Sequence, residues 1–233
     1  MTPRVYVAGP LRAGASVELP HAAGHHARVL RLREGDEVTL FDGSGGEWSG
    51  RLSSRARVEV LEKRDVERES PLAITLVQAV SSGERMDYTV QKAVELGVAA
   101  IQPLTTKKGV VRLEGTRASA RVEHWRKIVI AACEQCGRNR IPQVLPLLAF
   151  RDYKPQADGL KLLLSAQGAS IRLVEVAEQV VIAAGPEAGF AQEEQAALER
   201  AGFVKASLGP RILRTETAAL AALAALSALQ GDF

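Results

Sequence analysis

After residue 71 the chain repeats one rhythm: a short, almost unbroken apolar run, an amphipathic stretch of helical period, and another apolar run. "LAITLVQAV" (72–80), "VAAIQPLTT" (98–106), "LKLLLS" (160–165), "VVIAAG" (180–185) and "FVKASLG" (203–209) read as strands. "GERMDYTVQKAVELG" (83–97), "RASARVEHWRKIVIAACEQCGR" (117–138), "IRLVEVAEQ" (171–179), "QEEQAALERAG" (192–202) and "TETAALAALAALSAL" (215–229) read as helices. Strands that are apolar throughout are buried on both faces, and strands separated by helices run parallel. Residues 71–233 are therefore expected to form an α/β domain, a mostly parallel sheet with helices on both faces.

Upstream the pattern differs. "RVYV" (4–7), "DEVTLFD" (36–42), "EWSGRL" (47–52) and "ARVEVLE" (56–62) alternate apolar with polar residues, and a "GSGG" turn at 43–46 joins two of them. This predicts a small β-barrel or sandwich over 1–70, with a helical insert at "HAAGHHARVLRL" (21–32). The charged stretch "EKRDVERESP" (62–71) is the expected linker.

Composition narrows the partners. Net charge is +3 over 233 residues, but residues 1–70 sum to zero, 71–150 to +5 and 151–233 to −2. The basic excess around "TTKKGVVRLEGTRASAR" (105–121) and "CGRNR" (136–140) is a place where a polyanion can bind. The last apolar run is alanine-dominated and interrupted by Ser227, short of a membrane span, and the N-terminus lacks the pattern of a secretory signal. A cytoplasmic protein is the expectation. Cys133 and Cys136 form one Cys-x-x-Cys without a second pair, and His21 and His25 lack an acidic third ligand, so no metal site is expected.

Three strand-end loops carry the chemistry. "VVIAAGPEAGFAQEE" (180–194) turns through Gly185, Pro186, Glu187, Ala188 and Gly189, "SLGPRILRTETAAL" (207–220) leads into the last helix, and "LLLSAQG" (162–168) precedes both. Glycine at the carboxyl end of a buried strand lets a ligand approach the main chain. No lysine follows Gly185 as a P-loop requires, and no Gly-x-Gly-x-x-Gly opens a helix. Loops so poor in lysine favour a ligand without a phosphate chain. "RTET" also has a plain reading as capping chemistry for the last helix.

"AGPEAGF" followed by "SLGPRILRTETAAL", preceded by "QKAVELGV", "IQPLTT" and "EQCGRNRIP", resembles the bacterial 16S ribosomal RNA uridine-N3 methyltransferases of the SPOUT, or trefoil-knot, class. "HHARVLRLREGDEVTLFDGSGGEW" (25–48) is similar to that family's PUA-like RNA-binding domain. The resemblance departs at Ala188, where a glycine is expected, and at Cys136, where serine is more usual. It implies a knotted α/β domain behind a PUA-like β-barrel, S-adenosylmethionine as methyl donor, a homodimer, and 16S rRNA or the small ribosomal subunit as substrate.

By the same resemblance the cofactor lies against Leu164, Ser165, Gly185, Pro186, Glu187, Gly189, Leu208, Gly209, Ile212, Leu213 and Thr217. Arg138 and Arg214 are implied to stabilise the base oxygen or grip phosphate, with Glu134 orienting Arg138 and Glu216 or a water taking the proton. Arg4, His25, His26, Arg28, Arg31 and Arg33 are the implied RNA contacts of the small domain. Two alternatives remain at this level: a SPOUT methyltransferase acting on another nucleotide, such as a tRNA ribose hydroxyl, and a non-catalytic RNA-binding dimer.

Overall fold

The computed structural model describes residues 2–20, 32–54, 56–155, 158–175, 177–230 and 233. The helical insert expected at 21–32 lies outside them but for its last residue. The chain divides into two compact units, Met1–Glu69 with Cys133–Ile141, and Ser70–Ala132 with Pro142–Phe233.

The first unit is a five-stranded sheet of β1 (Arg4–Tyr6), β2 (Ser16–Glu18), β3 (Glu37–Phe41), β4 (Glu47–Ser54) and β5 (Arg57–Arg64), in the order β1-β3-β4-β5-β2. Only β1 and β3 pair parallel among these neighbours. Alternation places Val58 and Val60 of β5 inward with Val5, Val38, Leu40 and Leu52, while Arg57 and Glu59 face water. The first part of the expected linker is therefore strand, since β5 continues to Arg64.

Residues 133–141 join this unit through side chains. Arg4 Nη1 donates to Glu47 (2.6 Å) and its Nη2 to Asn139 Oδ1 (2.6 Å). Asn139 donates to the Val66 carbonyl, Arg68 to Glu47 and to the Gly137 carbonyl, and Arg138 to Glu69. The Tyr6 amide donates to Glu134 (3.0 Å).

The second unit contains β6 (Ala73–Ala79), α1 (Glu84–Glu95), β7 (Ala100–Thr105), most of α2 (Gly115–Cys136), β8 (Gln143–Val144), β9 (Leu148–Ala149), β10 (Leu160–Ser170), β11 (Gln179–Ala184), α3 (Gln192–Arg200), β12 (Val204–Ser207) and α4 (Thr215–Gln230). Its sheet has the order β12-β10-β11-β6-β7-β8, with β9 also on β7, and every pairing is parallel. The central strands bury nearly every residue, which is why they read as continuous apolar runs.

One expected helix is absent among the described residues. "IRLVEVAEQ" contains a single 3-10 turn at Ile171–Leu173, followed by extended Val174. The reason is reach. Ser170 ends β10, and the chain must return to the start of β11, where Val180 pairs with Leu160. Extended chain covers about 3.3 Å per residue against 1.5 Å in a helix, and few residues are available.

β10 also departs from a plain strand. Leu164 and Ala169 both align with Ala206, so residues 165–168 loop out of the ladder. Gly168 is required there, because a Cβ would stand 2.5 Å from the Ala206 nitrogen.

Candidate functional site

β12, β10 and β11 are neighbours, so the excursion in β10, the turn after β11 and the segment after β12 meet at one end of the sheet. They enclose a cavity of about 570 Å³, bounded by residues 163–166, 184–187, 189–190 and 212–215, with Arg85, Gln195 and Ala218 completing the wall. A smaller cavity of about 130 Å³ shares Leu164, Ile212 and Leu213 and adds Leu208, Gly209 and Arg211.

Each loop is held in place. The Gly189 amide donates to the Pro186 carbonyl at 2.7 Å, closing a turn whose left-handed backbone falls on Gly189, with φ 68°. A Cβ on Gly185 would lie 3.0 Å from the Phe190 nitrogen, so glycine allows the chain to fold back on itself there. Thr215 Oγ1 donates to the Gly185 carbonyl at 2.5 Å and accepts from Gln78 Nε2 at 3.0 Å, linking β6, this turn and the start of α4.

Glu194, buried in the first turn of α3, accepts from the Ala191 amide and from the Lys107 amide, both at 2.8 Å. It thereby caps its own helix and ties the basic loop after β7 to the loop after β11. Arg85 at the start of α1 reaches Glu187 at 3.1 Å.

The walls are mainly apolar side chains and main chain. Three charged residues, Arg85, Glu187 and Arg214, appear among the described lining residues of the larger cavity. Such a surface suits a flat apolar ring system with a small charged portion, and its volume lies within the range typical of small-ligand sites, roughly 300–1,000 Å³.

Of the expected cofactor contacts, Leu164, Ser165, Gly185, Pro186, Glu187, Gly189, Ile212 and Leu213 line the larger cavity, and Leu208 and Gly209 the smaller. Thr217 lines neither and is exposed. Successive helical residues turn by about 100°, so Thr217 faces away from the side on which Thr215 turns inward. Thr215 was legible only as a capping residue in "RTET". Arg85 and Gln195 carried no local signal, because they come from helices packed against the loops, while Phe190 lay unremarked within the loop after β11.

Arg214 is exposed and lines the larger cavity. Glu216 is absent from its lining, and its Oε2 is buried without a hydrogen-bond partner among the described residues. Arg138 belongs to the first unit, is buried, and grips Glu69 Oε2 through Nε (2.9 Å) and Nη2 (2.5 Å). Glu69 is one carboxylate on it, and Glu134 accepts from the Tyr6 amide.

Arg4 departs from the expected exposed basic face. Its guanidinium lies 5.1 Å from the Phe41 ring centre and is bound to Glu47 and Asn139, because β1 directs it inward toward residues 133–141. Arg33 is exposed. His25, His26, Arg28 and Arg31, with His21, lie outside the described residues.

Cys133 is buried, and burial, the largest influence on it, pushes its thiol up to about 12. Among the described residues no group of three or more His, Cys, Asp or Glu side chains is placed to hold a metal. None of the described helices is long and apolar enough to cross a membrane.

Comparison with known proteins bears on this geometry. Residues 68–227 match the RNA methyltransferase domain family and residues 19–63 the RNA methyltransferase PUA domain. The chain is 31% identical over 240 residues to ribosomal RNA small subunit methyltransferase E of Buchnera aphidicola from Acyrthosiphon pisum, covering 99% of this chain and 95% of that protein. It is 36% identical to the Mycobacterium tuberculosis protein of the same name, over 88% of this chain and 83% of that one.

Among solved structures, it superimposes on ribosomal RNA small subunit methyltransferase E from Neisseria gonorrhoeae bound to S-adenosyl methionine with TM-score 0.89, 42% identity and 98% of each chain covered. A methyltransferase from Legionella pneumophila, in complex with the same cofactor, gives TM-score 0.90 and 40% identity, again over 98% of each chain.

Proposed function

The chain belongs to the ribosomal RNA small subunit methyltransferase E family, and from that membership we propose that it methylates N3 of a decoding-region uridine in 16S rRNA, using S-adenosylmethionine. Its fold is the SPOUT α/β trefoil-knot domain behind a PUA-like β-domain. The observation that carries the reading is the cavity at the ends of β10, β11 and β12, built from three loops, two of which Thr215 ties together through the Gly185 carbonyl.

The residues present fit the cofactor. Leu164, Phe190, Ile212 and Leu213 offer apolar contact to a nucleoside, and Gly185 and Gly189 leave main chain accessible beside it. When bound, S-adenosylmethionine supplies a methyl group on a cationic sulfur whose leaving group is a neutral thioether.

The protein's own tasks are to orient the uracil and to manage the N3 proton. Arg214, exposed at the cavity wall, is assigned to the uracil oxygen on which charge accumulates as N3 is deprotonated, because a guanidinium stays charged and donates in a fork. Glu216 or a water accepts the proton. Positioning accounts for much of such a transfer. Arg138, bound to Glu69 through Nε and Nη2, has a phosphate grip as its proposed part.

We assign the active form to a homodimer in the cytoplasm. In that dimer a second protomer would cover Ile212, which lines the cavity and is 92% exposed.

Incubation with methyl-labelled cofactor and, separately, naked 16S rRNA, small subunits or tRNA tests the assignment. The expected product is one labelled uridine of 16S rRNA that blocks base pairing and arrests reverse transcription. Label on a tRNA ribose, or none on any RNA, would overturn it.

A further inference from the structure

Arg85 and Glu187 form the one ion pair within the cavity wall among the described residues. They meet at 3.1 Å from separate elements, the first turn of α1 and the turn after β11, and both line the larger cavity. Their side chains are 46% and 35% exposed, so the pair is hydrated and contributes little to stability. Glu187 is the one acid among the described lining residues, and Arg214, the remaining cation, comes from the segment leading into α4. The wall therefore carries one adjacent plus–minus pair beside an otherwise apolar and main-chain surface.

We propose that this pair is the subsite for the α-amino acid end of the cofactor, Arg85 taking the carboxylate and Glu187 the ammonium. The inference rests on S-adenosylmethionine binding in this cavity. A zwitterion placed head to tail across an ion pair turns two opposed charges into an alternating set of four. Each charge then has an opposite neighbour. The exposed pair gives up little on opening, while the ligand's charges gain fixed partners at a site its own body partly dries. The apolar walls are left for the nucleoside and Arg214 for the RNA. The clamp is thus a positioning device that sets how far the methyl group extends from the cavity.

Calorimetry with ligands differing only at that end tests the clamp without reference to turnover. Arg85→Ala is expected to weaken S-adenosylmethionine and S-adenosylhomocysteine by roughly tenfold or more, the usual effect of losing a charge-assisted contact. It should leave 5′-methylthioadenosine, which lacks the amino acid, and decarboxylated S-adenosylmethionine unchanged. Glu187→Gln should weaken the decarboxylated compound, which keeps its ammonium, and spare methylthioadenosine. Equal losses for all four ligands, or none for any, overturn the clamp while the cofactor assignment stands. A wild-type protein that takes up none of them overturns the cofactor assignment and the clamp together.

Discussion

At the scale of single residues, Thr215 decides the shape of the site. Its hydroxyl donates to Gly185 and accepts from Gln78, and it is buried. Thr215→Val keeps the volume and removes both bonds, so unfolding in urea should show a loss of roughly 1–2 kcal/mol. Nucleoside affinity should fall with it, while Thr215→Ser retains both. Unaltered affinity in the valine variant would mean that the hydroxyl does not set the loop. Cys133 gives a second expectation. Its folded pKa, about 12, lies above the ordinary 9.0, so the buried thiol's contribution is intact below pH 9 and declines as pH climbs toward 12. Since the thiolate is the nucleophile, iodoacetamide at pH 8 should modify Cys136, which is partly exposed, and reach Cys133 only in denaturant. Sequence reached the site unevenly at this scale. Gly185, Gly189, Leu213 and Arg214 announced themselves through glycine-rich turns and through the family pattern. Thr215 was hidden beneath its capping role, and Arg85 stands 102 residues from its partner Glu187, a separation no local pattern spans.

Among elements, the parallel strands were legible because burial on both faces leaves a continuous apolar signature, as in "VVIAA" and "LAITLV". β8 and β9, two residues each, are too short to carry any period. The failed helix at 171–179 shows a different limit, since its composition permits a helix and only the distance back to β11 forbids one. How loops are tied together is equally invisible in sequence. Glu194 reads as an ordinary first-turn acid, yet its buried carboxylate joins the loop after β7 to the loop after β11. Glu194→Gln presents an amide to one of two donors that need an acceptor, and should cost roughly 1.5–3 kcal/mol. Hydrogen exchange should quicken at the Lys107 and Ala191 amides together. Exchange that quickens at one alone would show that the two loops are not coupled through this side chain.

For the whole molecule, the informative quantity is where charge is spent internally and where it is left for a partner. In the first unit it is spent: Arg4 and Arg68 converge on Glu47, joining residues 133–141 to a sheet more than sixty positions upstream. Burial raises the Glu47 pKa, but hydrogen bonds and charge from both arginines outweigh it and hold the carboxyl below its ordinary value. A depressed carboxyl stabilises above its unfolded value of 4.5, and that stability is lost as pH falls below it. Glu47→Gln should therefore cost roughly 1–2 kcal/mol at neutral pH, since Arg4 loses its carboxylate but keeps Asn139 while Arg68 is half exposed, and should flatten the acid limb of the stability curve. Residues 106–121 of the second unit are the opposite case, with five basic side chains against one acid. Lys107 is held by Glu193, and Arg112 donates to the carbonyls of Thr106 and Gly109, so those two shape their own loop. Lys108 and Arg117 are exposed, and Lys108 approaches the Ala188 carbonyl at 3.5 Å, beside the turn that borders the cavity. Phosphate contacts release counterions, so each one lost lowers the slope of log affinity against log salt by about 1. Lys108→Glu combined with Arg117→Glu should weaken 16S rRNA binding at low salt and reduce that slope by about 2, while S-adenosylmethionine affinity is unchanged. An unaltered slope would place the RNA on another face of the protein.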